Sequence, residues 1–178
     1  IASVTGLEAL YWNPAGLDFS PTTANALFSY RSYIADMNMN FVAVSGRLGD
    51  LGSIGLSFRS LNIGEINVTT MDQPDGTCQI MNPSYFILGL TYSKQLTDRV
   101  SIGASFNLIN ESIDRAGTSG FSFDFGVQYK NLLEVPGFSL GVVVKNLGPS
   151  IEYDGNGLYV QATSAGDRGP TYLKVDAA

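Results

Sequence analysis

From residue 121 to residue 129 the chain alternates without a break. Phe121, Phe123, Phe125, Val127 and Tyr129 are large and apolar, and Ser122, Asp124, Gly126 and Gln128 between them are small or polar. Successive side chains of a strand point to opposite faces, so this pattern predicts a strand with one greasy face and one polar face. The unit recurs. Aligned on a central glycine, five copies are found, around Gly55, Gly89, Gly103, Gly126 and Gly141. In four of the five, an aromatic residue (Phe58, Tyr92, Phe106 or Tyr129) stands three positions after the glycine, on the opposite face. Each glycine shares its face with small polar or charged residues: Ser57 and Arg59, Thr91 and Ser93, Ser101 and Asn107, Lys145.

Alternation alone does not separate a soluble β-sandwich from a membrane barrel. The connections do more. Strands are expected at 24–34, 38–48, 53–63, 85–96, 99–113, 119–130 and 137–148, with 171–178 as the eighth. Residues 48–52, 95–98 and 131–137 are short connections, whereas 64–84, 112–118 and 149–170 read as long ones. Short turns at one rim and long loops at the other are the arrangement of an outer-membrane barrel, and a sandwich has no reason to sort its loops. The expected fold is therefore an all-β, antiparallel transmembrane β-barrel, with its apolar face towards lipid and its small polar face towards a lumen. Residues 1–23 stand apart from this pattern. Residues 5–12 suggest a helical turn and Asn13-Pro14-Ala15-Gly16-Leu17 a tight turn, because proline presets one backbone angle and glycine accepts conformations other residues resist. This segment is either a plain lead-in to the first strand or a hatch inside the lumen anchored by Tyr11 and Trp12.

Composition narrows the function. Only 15% of the 178 residues are charged, below the roughly 25% of soluble domains. The net charge of −6 speaks against nucleic acid, which needs clustered Lys and Arg. The chain has no histidine, so the commonest metal ligand and general base is missing. The single cysteine, Cys78, forms no internal disulfide and lacks a basic neighbour to activate it. Residues 72–76 resemble a calcium loop only faintly, without its closing glutamate. No active site, metal site or cofactor site emerges, and a non-enzymatic protein is expected. The long-loop rim is acidic, which reads most simply as solvated surface. Among lumen residues Asp124 is the sharpest polar position, expected to pair with Lys145 or Arg59 across neighbouring strands.

Residues 8–17 (Glu-Ala-Leu-Tyr-Trp-Asn-Pro-Ala-Gly-Leu), the glycine-centred strands, residues 96–103 and 110–113, and Val144-Lys-Asn-Leu-Gly-Pro149 carry a resemblance over nearly the whole chain. Through them the chain resembles the PorV/PorQ family of outer-membrane proteins, within the FadL-like barrels. The Asn-Pro-Ala-Gly-Leu segment also marks FadL-type transporters, where it ends an N-terminal hatch. The resemblance implies a barrel of about fourteen strands, of which about eight would be present here, so the chain is expected to be a fragment of a longer polypeptide. It also implies a bacterial outer-membrane location, contact with membrane lipid, and an interaction or shuttle role in type IX secretion. In that role the barrel would accept exported proteins and pass them to surface-attachment proteins. The contact residues would then lie in the long loops, with Ile80, Met81, Tyr85, Tyr153, Leu158 and Tyr159 as anchors, since interfaces favour Tyr and Met. The FadL side of the resemblance implies instead transport of hydrophobic small molecules such as fatty acids or lipids. A structural barrel without a ligand is the third reading, and barrel topology does not choose among them.

Overall fold

The computed structural model describes residues 1–34, 36–69, 73–75, 77–113, 115–155, 159–162 and 171–174. Seven strands form one antiparallel sheet: β1 (Ala24–Ser32), β2 (Asn38–Arg47), β3 (Ser53–Asn62), β6 (Ser84–Gln95), β7 (Val100–Ile113), β8 (Ala116–Tyr129) and β9 (Leu140–Leu147). Neighbours in the sequence are neighbours in the sheet, in the order β1-β2-β3-β6-β7-β8-β9, and the two outer strands do not meet. The sheet is thus open, a partial barrel wall. Between β3 and β6 lies a small hairpin, β4 (Ile66–Asn67) with β5 (Ile80–Met81).

Two expectations about the strands change. The eighth strand, described over Thr171–Lys174 (β11), does not extend the wall: it pairs with β10 (Tyr159–Ala162) in a separate two-stranded sheet, and residues 175–178 lie outside the described ones. Residues 112–118 are not a long loop. β7 runs to Ile113 and β8 begins at Ala116, and Ile113 pairs with Ala116 across a tight turn. Thr118, Gly120 and Ser122 continue the small and polar alternation inward, but the glycines and serines of 116–120 read locally as loop composition. Ladder hydrogen bonds along two long neighbours outweigh that weak local preference.

The wall is inverted relative to a soluble domain. Outward residues such as Phe28, Leu56, Leu88, Phe123 and Phe125 are exposed, while Ser53, Ser57, Thr91, Ser93, Ser101, Ser105, Asn107 and Gln128 on the other face are buried. What buries them is the chain's own first twenty residues, which pack on the concave face of the wall. There α1 (Ala9–Trp12) is flanked by 3-10 turns at Gly6–Glu8 and Pro14–Gly16. The apolar core is small: Ala9, Leu10, Leu17 and Ala43, with Val4, Leu7 and Phe41 against them.

Candidate functional site

The candidate site is the concave face, where the lead-in segment plugs the wall. The segment folds locally for simple reasons. Asn13 is extended and its Oδ1 accepts from the Ala15 N–H at 3.1 Å, capping the turn that Pro14 opens. Asn13 and residues 14–17 are all buried. The Asn13 side-chain amide then reaches both ways, donating to the carbonyls of Ile1 and Val127 at 3.3 Å each.

The recurring glycines explain why the segment fits. A methyl group added at Gly103 would strike the Pro14 carbonyl carbon and, at 2.5 Å, the Ala15 nitrogen; one at Gly126 would strike the Asn13 side chain. Gly55 meets Leu10 and Gly141 meets Ala2 in the same way. Gly103 and Gly126 are also direct neighbours across β7 and β8. Together they form a flat backbone floor on which the Asn-Pro-Ala turn lies. The sequence showed the repeat, but its purpose, a socket for a segment distant in the chain, needed coordinates.

A polar belt ties the lower end of the plug to the wall. Asp18, 6% exposed, accepts from Ser53 Oγ at 2.6 Å and from the Gln95 N–H at 2.7 Å, and pairs with Arg47 Nε at 3.6 Å. Arg47 also donates to the carbonyls of Asp18 and Ser20, at 2.6 and 2.8 Å. Ser93 Oγ donates to the Ala15 carbonyl at 3.0 Å. Gln128 Nε2 donates to the carbonyls of Ile1 and Val4, at 2.8 and 2.9 Å. Backbone groups of an irregular segment need partners when they leave water, and the wall's short polar side chains supply them. At the turn rim Lys130 Nζ lies 3.7 Å from the centre of the Phe19 ring, and burial pushes its ammonium below the ordinary 10.5. Asp18, Arg47 and Gln128 were not singled out from the sequence, where they look like rim and strand residues.

Among the described residues Asp124 has no cation within 4 Å; with Lys145 and Arg59 it lines one small pocket, but its direct bonds are to other groups. The strand pairing slips between Phe123 and Phe125, so that Lys145 and Asn146 of β9 together face Asp124. This bulge leaves Asn146 with φ +59°, and its N–H is satisfied by Asp124 Oδ1 at 2.7 Å, while Asn107 Nδ2 donates to Oδ2 at 2.9 Å. Lys145 instead donates to the Tyr11 carbonyl at 2.6 Å, and its ammonium lies 4.5 Å from the Tyr11 ring centre. Arg59 lies against the same ring at 4.7 Å. Tyr11 and Trp12 are themselves 42% and 51% exposed, so they are not the buried anchors; Asn13 to Asp18 are.

Above the plug the inward face changes character. One cross-strand row reads Phe41, Arg59, Ile87, Ile109, Gly120, bulkier than the row beneath it, Ala43, Ser57, Gly89, Asn107, Ser122. Phe41 and Arg59 of that row, with Leu27, Arg31, Met39 and the exposed Tyr11 and Trp12, line an open cavity of about 540 Å³, whereas Ile87 and Ile109 line a separate, smaller one with Asp124 and Lys145. The glycine-anchored pattern covers only the lower half of each strand, which is why the sequence suggested a uniformly small and polar lumen.

The expected loop contacts separate. Ile80 is exposed and Met81 half-buried, both in the small hairpin. Tyr85 is not a loop residue: it sits in β6 opposite Glu111 of β7. Tyr153 joins them, its hydroxyl hydrogen-bonded to Glu111, which holds the phenol above its ordinary 10.0. Tyr159 lies in β10, opposite Lys174, and Leu158 lies outside the described residues, as do Asp72 and Gly76. Cys78 is exposed, with φ +61°.

The family model described as Type IX secretion system protein PorV matches residues 2–165, which includes the plug and all seven strands of the wall. No curated protein matches the chain.

Proposed function

The chain belongs to the PorV family of type IX secretion system proteins, and on that premise we propose that it is an outer-membrane wall that receives exported proteins at its long-loop rim and hands them on. The observation that carries this reading is the plug. Residues 1–20 fill the lower concave face and are bonded to it from Ser53 to Gln128, which suits a receptor better than a conduit for polypeptide. The exposed aromatic and aliphatic outer face suits contact with lipid. The protein works by binding, without chemistry of its own. The rim hairpin with Ile80 and Met81, and Tyr153 beside Glu111, form the contact surface.

Photo-crosslinking in secreting cells tests this, with the probe at Met81 or Tyr153 and, as a control, at Lys94 beside the opposite rim. Adducts with exported proteins from Met81 and Tyr153 but not from Lys94 are expected. Adducts from Lys94 alone, or fractionation of the protein away from the outer membrane, would defeat the reading. A second reading, passage of hydrophobic small molecules, is favoured by one observation: the inward-facing Leu27, Phe41, Ile87 and Ile109 above the plug. Copurification of the native protein with lipid or fatty acid and with no protein partner would select it.

A further inference from the structure

We propose that a groove on the outer face of the wall holds one acyl chain of a phospholipid whose phosphate lies on Lys94; this rests on the outer-membrane placement above. The groove arises from one small residue. An outward cross-strand row reads Tyr92, Ala104, Phe125, Val144, and the row above it Leu90, Phe106, Phe123. Ala104 is a gap among rings and branched side chains, floored by the backbone of Gly103 and Gly126, and it opens a cavity of about 470 Å³, within the range of ligand-sized sites. The same two glycines seat Pro14 and Asn13 on the inner side, so the wall here is a single backbone thick.

The lining selects an acyl chain. The backbones of the floor are joined in the ladder of β7 and β8, and the Tyr92 hydroxyl donates to the Leu51 carbonyl. A peptide lying in the groove would leave its own N–H and C=O groups without partners, whereas an acyl chain has none to satisfy. Charge then sets the direction of the lipid. Lys94 stands on the same outward face, directly opposite Ile102 of the lining and one residue before the end of β6. Among the described residues no carboxylate lies within 4 Å of its ammonium. Asp50 and Asp98 of the same rim line a different, polar cleft with Asp18 and Arg47. At a membrane boundary a lysine lays its stem along apolar surface and carries its charge to the headgroups. Short turns face the periplasm, so the lipid belongs to the periplasmic leaflet.

The test uses the full natural protein, delipidated in mild non-ionic detergent and titrated with palmitoyl-oleoyl phosphatidylglycerol or the matching diacylglycerol, with bound lipid counted by native mass spectrometry. One phosphatidylglycerol binding saturably is expected, with the diacylglycerol at least fivefold weaker. Lys94→Gln should bring the phospholipid down to the diacylglycerol's affinity. Ala104→Phe, which fills the gap, should weaken both at least fivefold, and Leu88→Phe, elsewhere on the outer face, should change neither. Equal binding of the two lipids, uptake that Ala104→Phe leaves unchanged, or paired copies of the protein in place of bound lipid would each overturn the proposal. Any of these results from a protein that still fractionates with the outer membrane, and still crosslinks exported proteins through Met81 and Tyr153, would locate the failure in the groove and leave the receptor role standing.

Discussion

Replacing Gly126 by alanine places one methyl group where the plug already stands. The new Cβ would overlap Asn13 Oδ1 and lie 3.0 Å from both Asn13 Cγ and Pro14 Cδ. None of these atoms yields easily: the Pro14 ring is buried, and the Asn13 side chain is held by bonds of 3.1, 3.3 and 3.3 Å. Overpacking of this kind costs about 1–3 kcal/mol, and each displaced hydrogen bond about 0.5–1.5 kcal/mol. Displacing Asn13 is also the way the overlap is relieved, so the two contributions do not add in full, and a loss of about 2–4 kcal/mol is expected. Urea unfolding in lipid vesicles, followed by Trp12 fluorescence, measures it. The control is Gly46→Ala in β2, whose added methyl meets nothing within 4 Å. Combining Gly126→Ala with Asn13→Ala should recover about 1 kcal/mol or more relative to the sum of the single changes, because the neighbours are coupled. If Gly126→Ala is as mild as Gly46→Ala, or if the double change is additive, the socket argument is wrong.

Asp18→Asn should destabilise by about 2–3 kcal/mol, mostly through the weakened bonds from Ser53 and the Gln95 N–H, since Arg47 is solvated enough to screen the ion pair; faster proteolysis of the N-terminal segment in the folded protein is the readout. Phe125→Arg on the outer face should cost about 2–4 kcal/mol if that face meets the bilayer centre, and a change near zero in vesicle-reconstituted protein would argue against a membrane wall. Lys130 gives a pH test. Its folded value lies below 10.5, so the unfolded chain binds more protons in the interval up to 10.5, and stability should rise with pH there. Lys130→Gln should reduce that rise, and an unchanged profile would contradict it.

The alternation at 121–129 and its glycine-centred copies marked the strands of the wall and their two faces, and the sorted loop lengths then indicated which face turns inward. The Asn-Pro-Ala-Gly-Leu turn was equally visible, since proline and glycine act locally. Three things were decided only in three dimensions. The plug's anchorage, from Asp18 to Gln128, joins residues far apart in the chain that carry no local signal. Asp124 lost its expected ion pair because a one-residue bulge at Lys145 and Asn146 presented an orphan N–H that it satisfies. The cavity above the plug forms where Phe41 and Arg59 meet Leu27, Arg31 and Met39 beside the plug's Tyr11 and Trp12, a grouping that only cross-strand register and the plug's placement bring together. Strand periodicity is a property of neighbours in the chain; a site is a property of neighbours in the sheet, and register sets those.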